Sequence, residues 1–340
     1  MHSHALLRSV LADARRRQLL AATAGAFVSA LLPRAARAAT WPSRSITLIS
    51  AQAPGASTDG TARAFAEYFT QQLGVPVLVE NRPGGVGTIA SSAVARSAPD
   101  GYVFLVTLHS QLAQSTVLLK HPPIDPSKDL VPIASISTGV GPMVVTKNLP
   151  VNNLKELIEL ARKRPVTVGN FGVGSGWQLQ MTQLAQDTGA QFVIVNYKGT
   201  GPMLGDLLGG HIEVGAGSMA GLSGAIQNGG IRPIMVISGQ ASNMLPGLPS
   251  WKDAGFVGPA FQDLVECNML LGPTGTPAEV VARLAQLATE SVTQGARMKA
   301  FRKQLGGEDA PLTGEALRNF IERSWPTYQA MTRKIGITAE

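Results

Sequence analysis

The chain has 340 residues, 44% of them hydrophobic and only 5% aromatic, with 37 glycines and 22 prolines. That is material for one large or two medium domains with many tight turns. The formal charge of +7 comes mostly from Arg8, Arg15, Arg16, Arg17, Arg34 and Arg37 near the N-terminus, and the remainder has no basic run with interleaved aromatics, which excludes a nucleic-acid partner.

Residues 1–38 have the layout of an export signal. Arg15-Arg16-Arg17 is followed by an apolar stretch from Leu19 to Leu32, then Pro33 and the small-residue site Ala36-Arg37-Ala38. The apolar stretch falls short of the roughly 20 residues that a membrane-spanning helix needs. Arg16-Arg17-Gln18-Leu19-Leu20 resembles a twin-arginine signal; the alternative is an ordinary secretory signal with an extra arginine. Cleavage is expected after Ala38.

From Ser45 to Ala98 the chain reads strand, polar loop, helix, strand, Gly-rich loop, helix. SITLIS is a short apolar strand, and Ser57, Thr58 and Asp59 offer N-caps for the helix that follows. VPVLVE is a second strand, and Pro83-Gly84-Gly85-Val86-Gly87 turns the chain into a second helix. Two loops at the same end of neighbouring strands, each opening a helix, line up free N–H groups and positive helix ends. Such a place suits a carboxylate or a phosphate.

The alternation continues. GYVFLVTLHS is a strand, HPPIDPSKDLVP a Pro-rich connection, and Asn152-Asn153 caps a helix with Leu154, Leu157, Ile158 and Ala161 on one face. TVGNFGVGSG is a strand with a Gly-rich loop, FVIVNYKGTGPMLGDLLGGHIEVGAG repeats the plan, and GIRPIMVIS is a further strand. LVECNMLLG reads as a strand in which the lone Cys267 is a small buried hydrophobe, and Pro277 stands early in the next helix. Helices end the chain. Strands alternating with helices predict parallel sheets covered on both faces, an α/β fold.

These pieces carry a resemblance. WPSRSITLI, the STD loop, VPVLVENRPGGVG, APDGY, DPSKDLVPIASI, the GVGSG loop, VNYKGTGPMLGDLLGGHIEV, LPSWKDAGF and GPTGTPAEVVARL occur in one order. That order resembles the Bug family, the periplasmic substrate-binding receptors of tripartite tricarboxylate transporters, over residues 41–338. The resemblance implies a two-domain fold like the type II periplasmic binding proteins. Residues 39–137 and 263–340 would form domain 1 and 138–262 domain 2, with the ligand in the cleft between them. It implies a monomeric periplasmic receptor that closes by a hinge on a small carboxylate, for uptake through a membrane permease or for sensing, with no cofactor.

The candidate binding residues follow. Gly55, Ala56, Ser57 and Thr58 precede or open the first helix, where small side chains let N–H groups approach a carboxylate and hydroxyls add donors. Asp59 reads as the cap, since its charge repels an acid. By resemblance, Gly174 and Ser175 belong to a second carboxylate loop, Gln178 stands where the family often has His, and Lys198, Gly199 and Thr200 meet the ligand's distal end. The acid is then held by amides and hydroxyls without a salt bridge. Two further departures bear on the ligand. Gln52 replaces an aromatic wall, and Gly217 replaces an acid that would pair with an ammonium, which argues against an amino-acid ligand.

An extracytoplasmic enzyme is the alternative, either a hydrolase or a dinucleotide-dependent one. Gly85-Val86-Gly87-Thr88-Ile89-Ala90 fits G-x-G-x-x-A, but the next strand ends in His109-Ser110 without the expected acid. Ser175 with His109 or His211 would suit a hydrolase, yet no G-x-S-x-G elbow is present. No catalytic residue is assigned, and no spacing suggests metal ligands.

Overall fold

The structure is a computed structural model that describes residues 41–137, 141–242, 245–262, 264, 266–305 and 310–336. The export signal and its cleavage site lie outside the described residues. In chain order the first elements are β1 (Ile46–Ser50), α1 (Ser57–Leu73), β2 (Val77–Asn81), a 3-10 turn at Gly85–Gly87, α2 (Thr88–Ala95), β3 (Val103–Leu108), α3 (His109–Leu118), α4 (Pro126–Asp129) and β4 (Leu130–Ser137). Next come β5 (Pro142–Thr146), α5 (Leu154–Lys163), β6 (Val166–Asn170), α6 (Gly176–Thr188), β7 (Phe192–Asn196), α7 (Thr200–Gly209), β8 (Val214–Ala216), α8 (Met219–Gln227) and β9 (Ile231–Val236). The last are α9 (Pro259–Gln262), β10 (Cys267–Pro273), α10 (Ala278–Gln294), α11 (Ala296–Leu305), β11 (Leu312–Thr313) and α12 (Gly314–Ile335).

Two sheets result. The first has the order β11-β4-β10-β3-β1-β2 and the second β7-β6-β8-β5-β9. Both are mixed, which corrects the expectation of parallel sheets. β10 runs antiparallel to β3 and β4, and β5 runs antiparallel to β8 and β9. The cause is the path of the chain. β4 lies in the first sheet and β5 in the second, while β9 lies in the second and β10 in the first. β5 and β10 are therefore the strands by which the chain enters a sheet from the other one. Each starts on the side facing the opposite sheet and runs away from it, against the direction of its neighbours.

Local sequence accounts for the helices. In α5, Leu154, Leu157, Ile158 and Ala161 are buried, and each large side chain contributes about 1.5–3 kcal/mol. Asn153 accepts the N–H of Glu156 at 2.9 Å, while the Glu156 carboxylate accepts the N–H of Asn152 at 2.7 Å, so both caps of the expected helix are used. α1 is different. Its N-cap is Ala56, which has no capping side chain. Asp59 sits inside the first turn, where its carboxylate accepts from the Gly55 N–H at 3.0 Å, from Arg63 Nε at 3.0 Å and from Asn81 Nδ2 at 2.9 Å. Burial raises the Asp59 pKa, but these bonds outweigh it and hold it below the ordinary value. Pro277 is the N-cap of α10 and not a residue within it. Cys267 is buried and free, as its neighbours suggest.

Candidate functional site

A cavity of about 320 Å³ lies between the two sheets. Its walls come from the last residues of β3 and β4 and the segments after β1, β6, β7, β8 and β9, together with Gly141 before β5 and Glu266 before β10. Strand ends and the two crossings thus converge on one space, where open α/β sheets bind ligands. Phe171 and Trp177 supply apolar surface, and Trp177 Nε1 is satisfied by the Gly169 carbonyl at 3.0 Å.

Two of the expected binding residues reach this cavity. Ser57 stands on its wall in the first turn of α1, and Thr200 is the first residue of α7 on the opposite sheet. The N–H groups of Ser57, Thr58 and Asp59 have no helix carbonyl one turn back, so they are the donors an acid would meet. Gln52, read from sequence as a lost aromatic wall, also lines the cavity. Its Oε1 accepts from Thr58 Oγ1 at 3.2 Å, and its buried Nε2 has no partner among the described residues.

The second Gly-rich loop is arranged otherwise. Ser175 is the N-cap of α6, and its hydroxyl donates to Asn170 Oδ1 at 2.6 Å while accepting the N–H of Gln178 at 3.2 Å. Gln178 Oε1 accepts the Gly174 N–H at 2.9 Å. On the other side, Gln114 Nε2 donates to the Gly174 carbonyl at 2.6 Å and Gln111 Nε2 to the Val173 carbonyl at 3.2 Å. The loop is therefore fastened to α3, and Gly174, Ser175 and Gln178 do not line the 320 Å³ cavity. Gly174 has φ +77°, and a Cβ there would sit 2.6 Å from Leu118 Cδ1. Gly is required by the contact with α3.

Gly55, Ala56 and Thr58 also stand back from the cavity wall. Lys198 is exposed and lines a neighbouring cavity with Gly84–Gly87 and Asn196. Gly199, at φ +134°, is buried, and a Cβ on it would come within 3.1 Å of Ala56 Cβ, so the loops before α1 and α7 touch.

Sequence reasoning missed Glu266 and Gln180. Glu266 Oε1 accepts the Gly176 N–H at 2.6 Å, and Oε2 accepts from Ser110 Oγ at 2.8 Å. It thus bridges the first turns of α6 and α3 at the cavity wall. Burial pushes its pKa up to about 7, against the opposing effect of the Gly176 and Ser110 bonds. The signal was an acid at the edge of the apolar run Leu264–Leu271, where a charge needs partners.

The groups weighed for hydrolysis each bond other partners. His109 Nε2 lies 2.8 Å from Ser324 Oγ and packs on Phe320 and Tyr328, His211 bonds Asp206, and Ser175 bonds Asn170. Among the described residues no cluster of His, Cys, Asp or Glu is placed to hold a metal, and no helix is long and apolar enough to cross a membrane.

This two-sheet α/β fold with a cavity at the strand ends is that of a periplasmic binding protein. Residues 61–335 match the family described as TctC, tripartite tricarboxylate transporter family receptor, and the chain belongs to that family. It is 32% identical to protein BugT of Bordetella pertussis over 303 residues, which is 87% of this chain and 91% of BugT. The solved structure of the periplasmic binding protein BugD is similar with a TM-score of 0.80 and 29% identity, covering 88% of this chain and 100% of that one. That of R. palustris Rpa4515 with adipate has a TM-score of 0.81 and 27% identity, covering 88% and 99%.

Proposed function

We propose that this chain is a periplasmic solute receptor that binds a small carboxylated molecule between two domains, 39–137 with 263–340 and 138–262. The observation that carries the reading is the cavity between the sheets, with the first turn of α1 and Thr200 facing into it from opposite sides. The relative solved with adipate supports an acid as the ligand class. The carboxylate is held by the Ser57 hydroxyl and the N–H groups of Ser57 and Thr58, with Thr200 at its far end, while the Thr58 hydroxyl holds Gln52 in place. Gly55 and Ala56 let the chain approach closely, and Gly174, Ser175, Gln178, Lys198 and Gly199 hold the loops that frame the space. The protein acts without turnover and without a cofactor. It is a monomer, and it is exported with cleavage after Ala38 and delivers its ligand to a tripartite tricarboxylate transporter permease.

A thermal-shift screen of the mature protein tests this, because a ligand that binds only the native state raises its stability. Small carboxylates are expected to raise the midpoint. A screen in which no acid moves it, with the protein folded, contradicts the reading.

A further inference from the structure

Among the described residues that line the 320 Å³ cavity, Glu266 alone has an ionisable side chain. Its two carboxylate oxygens are fixed from opposite sides, Oε1 by the Gly176 N–H at 2.6 Å and Oε2 by Ser110 Oγ at 2.8 Å. Both donors belong to first helical turns, whose positive ends favour an anion. A residue placed in this way is an acceptor with a defined direction. One turn further along α6, Gln180 is also on the wall and only 3% exposed. Its Nε2 donates to the Ile237 carbonyl at 3.4 Å, which leaves Oε1 without a partner among the described residues. The wall therefore carries an acidic and an amide acceptor on the α6 side. On the α1 side it carries donors, namely Ser57 and the unpartnered Nε2 of Gln52.

This polarity bears on which acid fits. The cavity lies at the small end of the range for ligand sites, about 300–1,000 Å³. A second carboxylate on the ligand would be enclosed with Glu266 in surroundings of low dielectric, where like charges repel strongly. A protonated nitrogen would instead meet an oriented anion and a vacant amide oxygen. The acid missing at Gly217 is thus not missing from the site, because the return crossing supplies one from another strand.

We propose that Glu266 determines the specificity of this cleft and that the ligand is a zwitterion, its carboxylate at the first turn of α1 and its protonated nitrogen at Glu266 and Gln180. The inference rests on the carboxylate-receptor reading and names the substrate class within it. It reverses the expectation that Gly217 counts against an amino-acid ligand.

Calorimetric titration of the mature protein with matched acids tests it. The pairs are 4-aminobutanoate with succinate, 5-aminopentanoate with glutarate, 6-aminohexanoate with adipate, and α-amino acids with the acids that lack the amino group. In at least one pair the amino acid is expected to bind tighter by about tenfold or more, as for a close, desolvated charge pair. Its affinity rises as the pH passes through about 7 and Glu266 ionises. Glu266→Gln removes both the preference and the pH dependence, and Gln180→Leu reduces the preference severalfold with the charge left in place. Tighter binding of the acid without nitrogen in every pair, or a preference that survives Glu266→Gln, overturns the inference while the receptor reading stands. Failure of a folded protein to bind any of these acids overturns both.

Discussion

The backbone N–H of Ala53 donates to the carbonyl of Lys198 at 2.9 Å, which ties the loop before α1 to the loop before α7. The two loops belong to different sheets, so the bond spans the cavity's edge. Gln114 to Gly174 and Glu266 to Gly176 tie the sheets together elsewhere. The structure is thus drawn shut around the cavity. A ligand reaching Ser57 and Thr200 together would favour this arrangement over one in which the sheets part.

Small-angle scattering reads that difference. The ligand-free protein is expected to be more extended, and saturation with a bound acid should lower its radius of gyration. An identical profile with and without a tightly bound acid would mean that the cavity is rigid.

Hydroxyls on the wall and hydroxyls in the frame predict different outcomes. Ser57→Ala is expected to weaken acid binding by about 0.5–1.5 kcal/mol, the worth of one neutral hydrogen bond, with little loss of stability. Thr200→Ala should weaken only ligands long enough to span the cavity. Titration calorimetry beside thermal melts separates the two quantities.

In the frame the order is reversed. Ser175→Ala removes the N-cap of α6 and the bond to Asn170, so it should cost about 0.5–2 kcal/mol of stability. Gly174→Val places a branched side chain at φ +77° against Leu118 and Val86, and it should destabilise far more. Urea titrations check both. A Ser175→Ala protein of unchanged stability with lost affinity would put that hydroxyl on the ligand.

Glu266 sets a pH dependence whose sign is definite. Its pKa rises on folding from the ordinary 4.5 to about 7, so the native state holds the proton more tightly than the unfolded chain. The ligand-free protein should therefore lose stability as the pH rises from about 4.5 through about 7. The loss is on the order of 3 kcal/mol for a shift of this size. Tyr328 and Cys267 face the same carboxyl and stay neutral, since burial pushes both pKa values up. Asp59, whose pKa is lowered, contributes in the opposite sense and below that window. Denaturation of the parent and of Glu266→Gln across this range should show the slope in the parent alone.

Much of the fold was legible because its signals are local. The amphipathic face of α5, the Asn153 cap and the strand at Ile46–Ser50 follow from residues close in sequence. The sense of β5 and β10 was not legible, since it depends on which sheet the chain has just left. The same holds for the site. Ser57, marked by a helix start, lines the cavity, whereas Ser175 does not, because its partners Asn170 and Gln178, and the glutamines of α3 that grip its loop, are assembled only by folding. Glu266 needed knowledge of two helix ends far from it in the chain.

The most direct test is a crystal structure of the mature protein with an acid selected by the thermal screen. The account predicts a carboxylate within hydrogen-bond distance of Ser57 Oγ and the first-turn N–H groups of α1, inside the cavity bounded by Phe171, Trp177 and Thr200. An acid bound instead beside Lys198, among Gly84–Gly87, or on the outer surface would contradict it.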